Sequence, residues 1–212
     1  MQGGFFLTVE GIDGAGKGTQ LIRIEKWLQQ KQLDYIALRE PGGTRIGEAI
    51  RAILLDKENI KMDDLTELLL FQAARAQLIE EVIRPALAAD KVVLCDRFFD
   101  STWAYQAGGR GLDPEMVEAA IALATRGLSP QLTIYLDLEP ALARERLGRR
   151  ASLEQDEADR IEEENLNFSV RVRQAYLDLA RREKRIRIID ADRDENAVWQ
   201  EIENVLEATF TL

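Results

Sequence analysis

The residues with the clearest chemical potential lie in Phe5 to Gln20, FFLTVEGIDGAGKGTQ. An apolar run rich in strand formers leads into Gly11-Ile12-Asp13-Gly14-Ala15-Gly16-Lys17, and a helical stripe of Leu21, Ile24 and Leu28 follows. Strand, glycine-rich turn and helix are the context a phosphate-binding loop requires. Glycines let the backbone curl so that successive N–H groups point at one anion. The following helix adds its positive end at the same point. Lys17 can then reach the β- and γ-phosphates of a nucleotide. Gly11, Asp13, Gly14, Ala15, Gly16, Lys17, Gly18 and Thr19 are therefore the candidate ATP-binding residues. The plain alternative is an ordinary βα turn, and the flanking strand and helix weigh against it. Gly18 follows the lysine where Ser or Thr commonly ligates Mg²⁺. Either Thr19 substitutes, or the metal is held mainly by phosphates, waters and carboxylates.

Further along, the apolar run Val92-Val93-Leu94-Cys95 ends in Asp96. Beside a phosphate loop, such a carboxylate can hold Mg²⁺ or its water shell. The plain alternative is a turn or helix-capping aspartate. Arg97 follows, a candidate for bidentate phosphate binding. Then come Phe98 to Gln106, where polar residues mix with aromatics as a base-and-phosphate pocket needs; for Trp103, core packing is the preferred reading. Phe71 and Arg75 are four residues apart and share a helix face, where a ring and a guanidinium could stack on a base and bond its edge. A core Phe beside a solvated Arg fits that spacing better. Arg144, Arg146, Arg149 and Arg150 crowd one segment, followed by acidic Glu154 to Asp159. That run reads either as a solvated helical face or as a mobile flap that closes over phosphates.

These groups must be positioned by a scaffold, and 212 residues suit one domain with a full core. Apolar content of 46% with 31% charged residues is that of a globular chain, with runs too short to span a bilayer. No signal peptide is expected at the N-terminus. The single Cys95 fits a reducing cytoplasm and leaves no internal disulfide. Histidine is absent, so His-based triads and His metal sites are excluded and any catalysis rests on Lys, Arg, Asp and Glu. A net charge of −10 argues against nucleic acid or an anionic membrane as partner. Five β-rich runs, Phe5–Val9, Tyr35–Leu38, Val92–Cys95, Leu132–Leu138 and Ile186–Ile189, alternate with helical patterns. Such alternation predicts βαβ units and a parallel sheet covered on both faces. Leu65 to Leu87 reads as one long helix with Pro85 near its end. Pro41 to Thr44 and Ala107 to Gly111 read as loops. Ligands in such sheets sit beyond the carboxyl ends of the strands, which is where the candidate groups fall.

Taken together, Gly11 to Gln20, Arg39-Glu40-Pro41-Gly42-Gly43-Thr44, and Asp96-Arg97 with Ser101-Thr102 and Ala104-Tyr105-Gln106 resemble the bacterial thymidylate kinases, which are nucleoside monophosphate kinases. The resemblance runs from about Phe5 to the C-terminus. It implies a three-layer α/β/α P-loop kinase fold, with a central parallel five-stranded sheet and a small mobile lid near residues 144–160. It also implies phosphoryl transfer from ATP to dTMP with Mg²⁺, and a homodimer. By position, Lys17 and the loop amides hold the ATP phosphates, and Asp13 lies near the acceptor and the metal, with Thr19 and Asp96 as further metal candidates. Arg97 and Arg51 grip the dTMP phosphate. Phe71 stacks on thymine and Arg75 bonds its edge. Glu40, Ser101, Thr102, Tyr105 and Gln106 complete the acceptor pocket, with Tyr105 near C2′. Some relatives carry an arginine in the P-loop; here Gly14-Ala15 stand there, so Arg149 or Arg150 of the flap is expected to neutralise the transition state. Kinases for UMP/CMP or AMP are the nearest alternative, and a P-loop ATPase switch is the alternative from another class.

Overall fold

The computed structural model describes residues 3–154, 159–162 and 164–210, with the backbone alone over 150–154. Strands β1 (Phe5–Glu10), β2 (Tyr35–Arg39), β3 (Val92–Asp96), β4 (Leu132–Asp137) and β5 (Ile186–Asp190) form one parallel sheet in the order β2-β3-β1-β4-β5. The three inner strands are buried along nearly their whole length, which is why they run apolar without alternation. The edge strands β2 and β5 are half exposed.

The two sheet faces pack separately. Phe5, Leu7 and Val9 point to one face, under Ile24, Trp27 and Leu28 of α1 (Lys17–Gln30), Phe168, Val172 and Tyr176 of α8 (Leu166–Arg182), and Val198, Ile202 and Leu206 of α9 (Glu195–Phe210). Phe6, Val93 and Cys95 point to the other, under Leu78, Ile79, Ile83 and Ala86. Those four belong to a continuous helical run: α3 (Asp64–Leu78), a π turn (Ile79–Ile83) and α4 (Arg84–Ala88). The long helix read from the sequence is thus present, with a widened turn just before Pro85. A proline ring cannot follow an unmodified α-turn without striking the carbonyl four residues back.

Chain order fixes where a ligand can sit. From β1 the chain crosses by α1 to β2 and returns by α2 (Arg45–Leu55) and α3 to β3, whereas β4 lies on the other side of β1. The carboxyl ends of β1 and β3 therefore flank a crevice at the point where strand order reverses. The turn after β1 enters it, and so does the segment after β3, α5 (Phe99–Thr102) with the π turn Trp103–Gly109.

That last element corrects the loop expected over Ala107 to Gly111. A Cβ on Gly108 would lie 2.5 Å from the Cβ of Ala175, and one on Gly109 would lie 2.6 Å from the ring of Phe168. The glycines mark a close approach of this turn to α8, not a break in helical structure. The arginine-rich segment is also helical further than its weak apolar pattern suggested: α7 runs Pro140–Glu154, and residues 155–158 of the expected lid lie outside the described residues. Among the described residues, no helix is long and apolar enough to cross a membrane.

Candidate active site

A cavity of about 810 Å³, counting its open mouth, lies over the carboxyl ends of β1, β2 and β3. Its wall includes Asp13, Lys17, Glu40, Arg51, Phe71, Arg75, Asp96, Arg97, Ser101, Thr102, Tyr105 and Gln106. Twelve residues nominated from sequence are thereby brought together from five separate segments.

The loop after β1 holds one end. Gly16 caps α1 at φ 91°, and Gly14 takes φ 86° with its Cα so close to α7 that a Cβ would lie 2.4 Å from the Ala143 carbonyl oxygen. The first-turn N–H groups of α1 have no partner within the helix and face the loop's concave side. The Lys17 ammonium donates to the Gly11 carbonyl at 3.0 Å and to Asp13 Oδ1 at 3.1 Å. Arg97 donates to the same Asp13 oxygen at 2.6 Å. Burial raises the Asp13 pKa, but Arg97 and Lys17 outweigh it and hold the carboxyl well below the usual carboxylate range.

Arg97 is held in a conformation that few arginines adopt, with φ 68° in the left-handed region. Glu10 secures that turn. Its buried carboxylate accepts from the Phe98 N–H at 2.7 Å, from Ser101 Oγ at 2.6 Å and from the Tyr176 hydroxyl at 2.7 Å. Ser101 Oγ in turn accepts from Arg97 Nη1 at 3.2 Å, and the Tyr105 ring lies 5.1 Å under the Arg97 guanidinium. Burial, and after it the neighbouring Asp100, push Glu10 up to about 7.

The opposite end of the cavity is built on α3. Arg75 is 2% exposed, so it is not the solvated arginine its spacing favoured. Its Nε and Nη2 donate to Glu40 Oε2 at 2.9 and 2.6 Å. Its Nη1 donates to Gln72 Oε1 at 2.9 Å and to Thr102 Oγ1 at 2.8 Å. Phe71, one helical turn before it, supplies an aromatic wall. Arg51 on α2 reaches the same cavity and donates to the Pro41 carbonyl at 3.0 Å.

Three nominated residues sit elsewhere. Thr19 is exposed on the outer side of α1, in a groove with Arg23, Lys26 and Glu195, so it does not face Asp13 and Asp96. Two residues of helix turn Thr19 roughly 200° away from Lys17. Arg149 is exposed on α7 and paired with Glu145 four residues back. Arg150 is placed by its backbone on α7, and its side chain lies outside the described residues. Sequence reasoning left Glu10, Tyr176 and Glu67 unassigned. Glu10 carried a usable signal, a carboxylate ending an apolar strand immediately before the loop.

Asp96 Oδ1 is buried without a hydrogen-bond partner, and Asp96 lines the same cavity as Asp13 and Lys17. Among the described residues there is no group of three or more potential ligands that could cage a metal. This fits a cation held by one carboxylate together with phosphates and waters, the usual mode for Mg²⁺.

A glycine-rich loop at a switch point, with Arg51, Arg75 and Arg97 lining the same cavity, is the arrangement of a P-loop phosphotransferase. Comparison with known proteins narrows the class. The family model "Thymidylate kinase" matches residues 9–202. A thymidylate kinase of Deinococcus radiodurans is 45% identical over 203 residues, covering 95% of this chain and 96% of that one. One of Pelodictyon phaeoclathratiforme is 48% identical over 183 residues, covering 84% of each. The crystal structure of thymidylate kinase from Ehrlichia chaffeensis superposes with a TM-score of 0.74 at 31% identity, covering 96% of this chain and 99% of that one. The chain belongs to the thymidylate kinase family.

Proposed function

We propose that the chain phosphorylates dTMP to dTDP with ATP, as a nucleoside monophosphate kinase, and that its cavity divides the work as follows. Lys17 and the amides of Gly14 to Thr19 hold the donor phosphates. Arg97, with Arg51, holds the acceptor phosphate. Asp13 keeps both cations at the gap between them. Phe71 stacks on the base, Arg75 donates to its edge, and Thr102, Tyr105 and Gln106 close the base and sugar pocket. The acceptor is already an oxyanion, so the step needs no strong general base; in-line positioning and charge neutralisation carry the rate. The observation that supports this reading is the meeting of Lys17 and Arg97 on one carboxylate, the arrangement expected where a donor and an acceptor phosphate site adjoin.

Asp96 is the residue that would hold Mg²⁺, with phosphates and waters as the other ligands. Bound there, the ion would screen the charge that builds up between the two phosphates. Arg149 or Arg150 would supply the arginine that the P-loop lacks, brought in by the lid over residues 144–160. The protein is read as a cytoplasmic homodimer. Ile46 and Ile53 on α2, Leu65 and Leu69 on α3, and Met116 and Leu123 on α6 (Pro114–Thr125) are exposed apolar side chains on helices that pack together, which supports a helical interface.

The test is acceptor profiling: ADP release with dTMP, dUMP, UMP, CMP, AMP and GMP in turn. Preference for dTMP is expected. Preference for UMP/CMP or AMP would move the substrate to another monophosphate, and hydrolysis without any acceptor would point to an ATPase switch.

A further inference from the structure

Glu67 lies one helical turn before Phe71 on α3, is 2% exposed, and reaches the acceptor pocket through Gln106. Its Oε1 accepts from Gln106 Nε2 at 2.9 Å and from Arg110 Nε at 3.1 Å. Its Oε2 accepts from Arg110 Nη2 at 3.0 Å and from Arg160 Nη2 at 2.5 Å. Burial raises the Glu67 pKa, but the hydrogen bonds and charge of Arg110 outweigh it, so the group lies below the ordinary carboxylate range. It is therefore ionised at neutral pH and can only accept.

That property decides the orientation of its neighbour. An amide side chain has a donor end and an acceptor end, and nothing intrinsic to glutamine selects between its two flips. A carboxylate held by two guanidinium groups cannot receive the carbonyl end. Gln106 must turn its nitrogen to Glu67, which leaves its carbonyl oxygen for the cavity it lines. Arg75, one end of the same wall, can only donate.

We infer that Glu67 is a positioning residue for base discrimination: it locks the Gln106 amide so that the pocket offers an acceptor to a pyrimidine ring N–H. Thymine and uracil carry a hydrogen at N3, whereas cytosine has a lone pair there. A cytosine ring would set that lone pair against the Gln106 oxygen and its amino group against Arg75. The inference rests on the assignment of Gln106 to the base pocket made above. Arg160 shares Glu67 but also donates to the Leu54 carbonyl at 2.8 Å, tying its own turn to α2, so its contribution is to docking and not to the amide.

The experiment measures kcat/KM for dTMP and dCMP in the wild type and in Glu67→Gln, Glu67→Asp, Gln106→Ala and Arg160→Gln. Glu67→Gln restores the second flip of Gln106. The dTMP:dCMP ratio is expected to fall roughly tenfold, about one hydrogen bond's worth. Glu67→Asp keeps the charge for Arg110 but withdraws the oxygen from Gln106, and gives the same fall in a fold-preserving variant. Arg160→Gln should change both substrates in parallel and leave the ratio in place. If Gln106→Ala collapses the ratio while both Glu67 variants keep it, Glu67 does not orient the amide and the inference is overturned. If Gln106→Ala also keeps the ratio, Gln106 is not in the base pocket and the premise itself falls.

Discussion

Asp13 and Arg97 meet at 2.6 Å although 84 residues of sequence separate them. The contact joins the turn after β1 to the turn after β3, the two strand ends that flank the crevice. Lys17 reaches the same Asp13 oxygen, so one carboxylate gathers both cations. Each cation has a second anchor that fixes its direction: the Gly11 carbonyl for Lys17, Ser101 for Arg97. On the function proposed above, binding two phosphates would exchange these partners with little movement of the chain, the preorganisation expected of a charge-stabilising site.

Lys17→Ala should therefore strike turnover and spare the fold. Among the described residues, the Lys17 ammonium bonds only within its own loop, so its loss unpairs no distant element of these. Turnover should fall by about 10²-fold or more, the scale seen when a transition-state cation or donor is removed. Coupled assay of ADP release gives the rate, and circular dichroism checks the fold. Near-wild-type turnover would remove Lys17 from the phosphate site.

The lid arginines should behave differently. Arg149 forms an exposed pair with Glu145 one helical turn away, a contact that adds a few tenths of a kcal/mol at most to stability. Of Arg149→Ala, Arg150→Ala and the double variant, the first should melt like the wild type. The variant lacking the acting arginine, and the double variant, should lose kcat by about 10³-fold, as for arginine fingers in other phosphoryl transferases. KM for ATP should move little. A double variant with unchanged kcat would take the lid out of the chemistry.

Glu40 and Arg75 make a prediction about stability. Both are nearly fully buried, 4% and 2% exposed at the side chain, and they share a 2.6 Å ion pair. Burial raises the Glu40 pKa against the pull of Arg75. Glu40→Ala leaves a guanidinium charge buried beside the neutral side chains of Gln72 and Thr102 and the Phe98 ring. The expected loss is about 3–5 kcal/mol, the usual result of removing one member of a buried pair. For a chain of this size that is a fall in Tm of about 10 °C. Replacing both, as Glu40→Ala with Arg75→Leu, should recover much of the stability while abolishing recognition of the base. Thermal melts read the first effect and the dTMP KM the second.

The sheet was legible because buried parallel strands must be apolar on both faces, and all five β-rich runs coincide with strands to within a residue at either end. The P-loop was legible because its glycines are demanded by backbone geometry at known offsets from a strand and a helix. Arg75 was misjudged on spacing alone: its partner Glu40 is 35 residues away, and no local pattern reports a long-range ion pair. Glu67 was missed for the same reason, since its partners Gln106, Arg110 and Arg160 come from other segments, whereas Glu10 stood in view at the end of an apolar strand. Gly108 and Gly109 suggested a loop because a single sequence does not distinguish glycine used for freedom from glycine used for closeness. The length of α7 was hidden by charge: the helix continues through an arginine-rich stretch with little apolar face to announce it.

Glu10 makes the last prediction, in which pH separates its role from that of its neighbours. It faces Ser101 and Asp100 on α5, Tyr176 on α8, and Arg97, while Asp100 is itself paired to Arg185. In the fold its pKa is raised to about 7 from 4.5, by burial first and by Asp100 second. A carboxyl group whose pKa is raised by folding favours the native state below its unfolded pKa. That advantage is lost as pH climbs to the folded value. Between pH 4.5 and 7 the contribution of Glu10 should thus decline by about 3 kcal/mol and then level off. Asp13 works in the opposite direction, but its depressed pKa confines its effect to lower pH. Glu10→Gln imitates the protonated acid: its carbonyl can accept the Phe98 N–H and its amide can donate to Ser101 or Tyr176. Urea unfolding of wild type and variant at half-unit steps from pH 4.5 to 8 should show the variant flatter over this window, and the more stable of the two above pH 7. Parallel curves would mean that Glu10 is ionised throughout, with Arg97 and the three hydrogen bonds outweighing its burial.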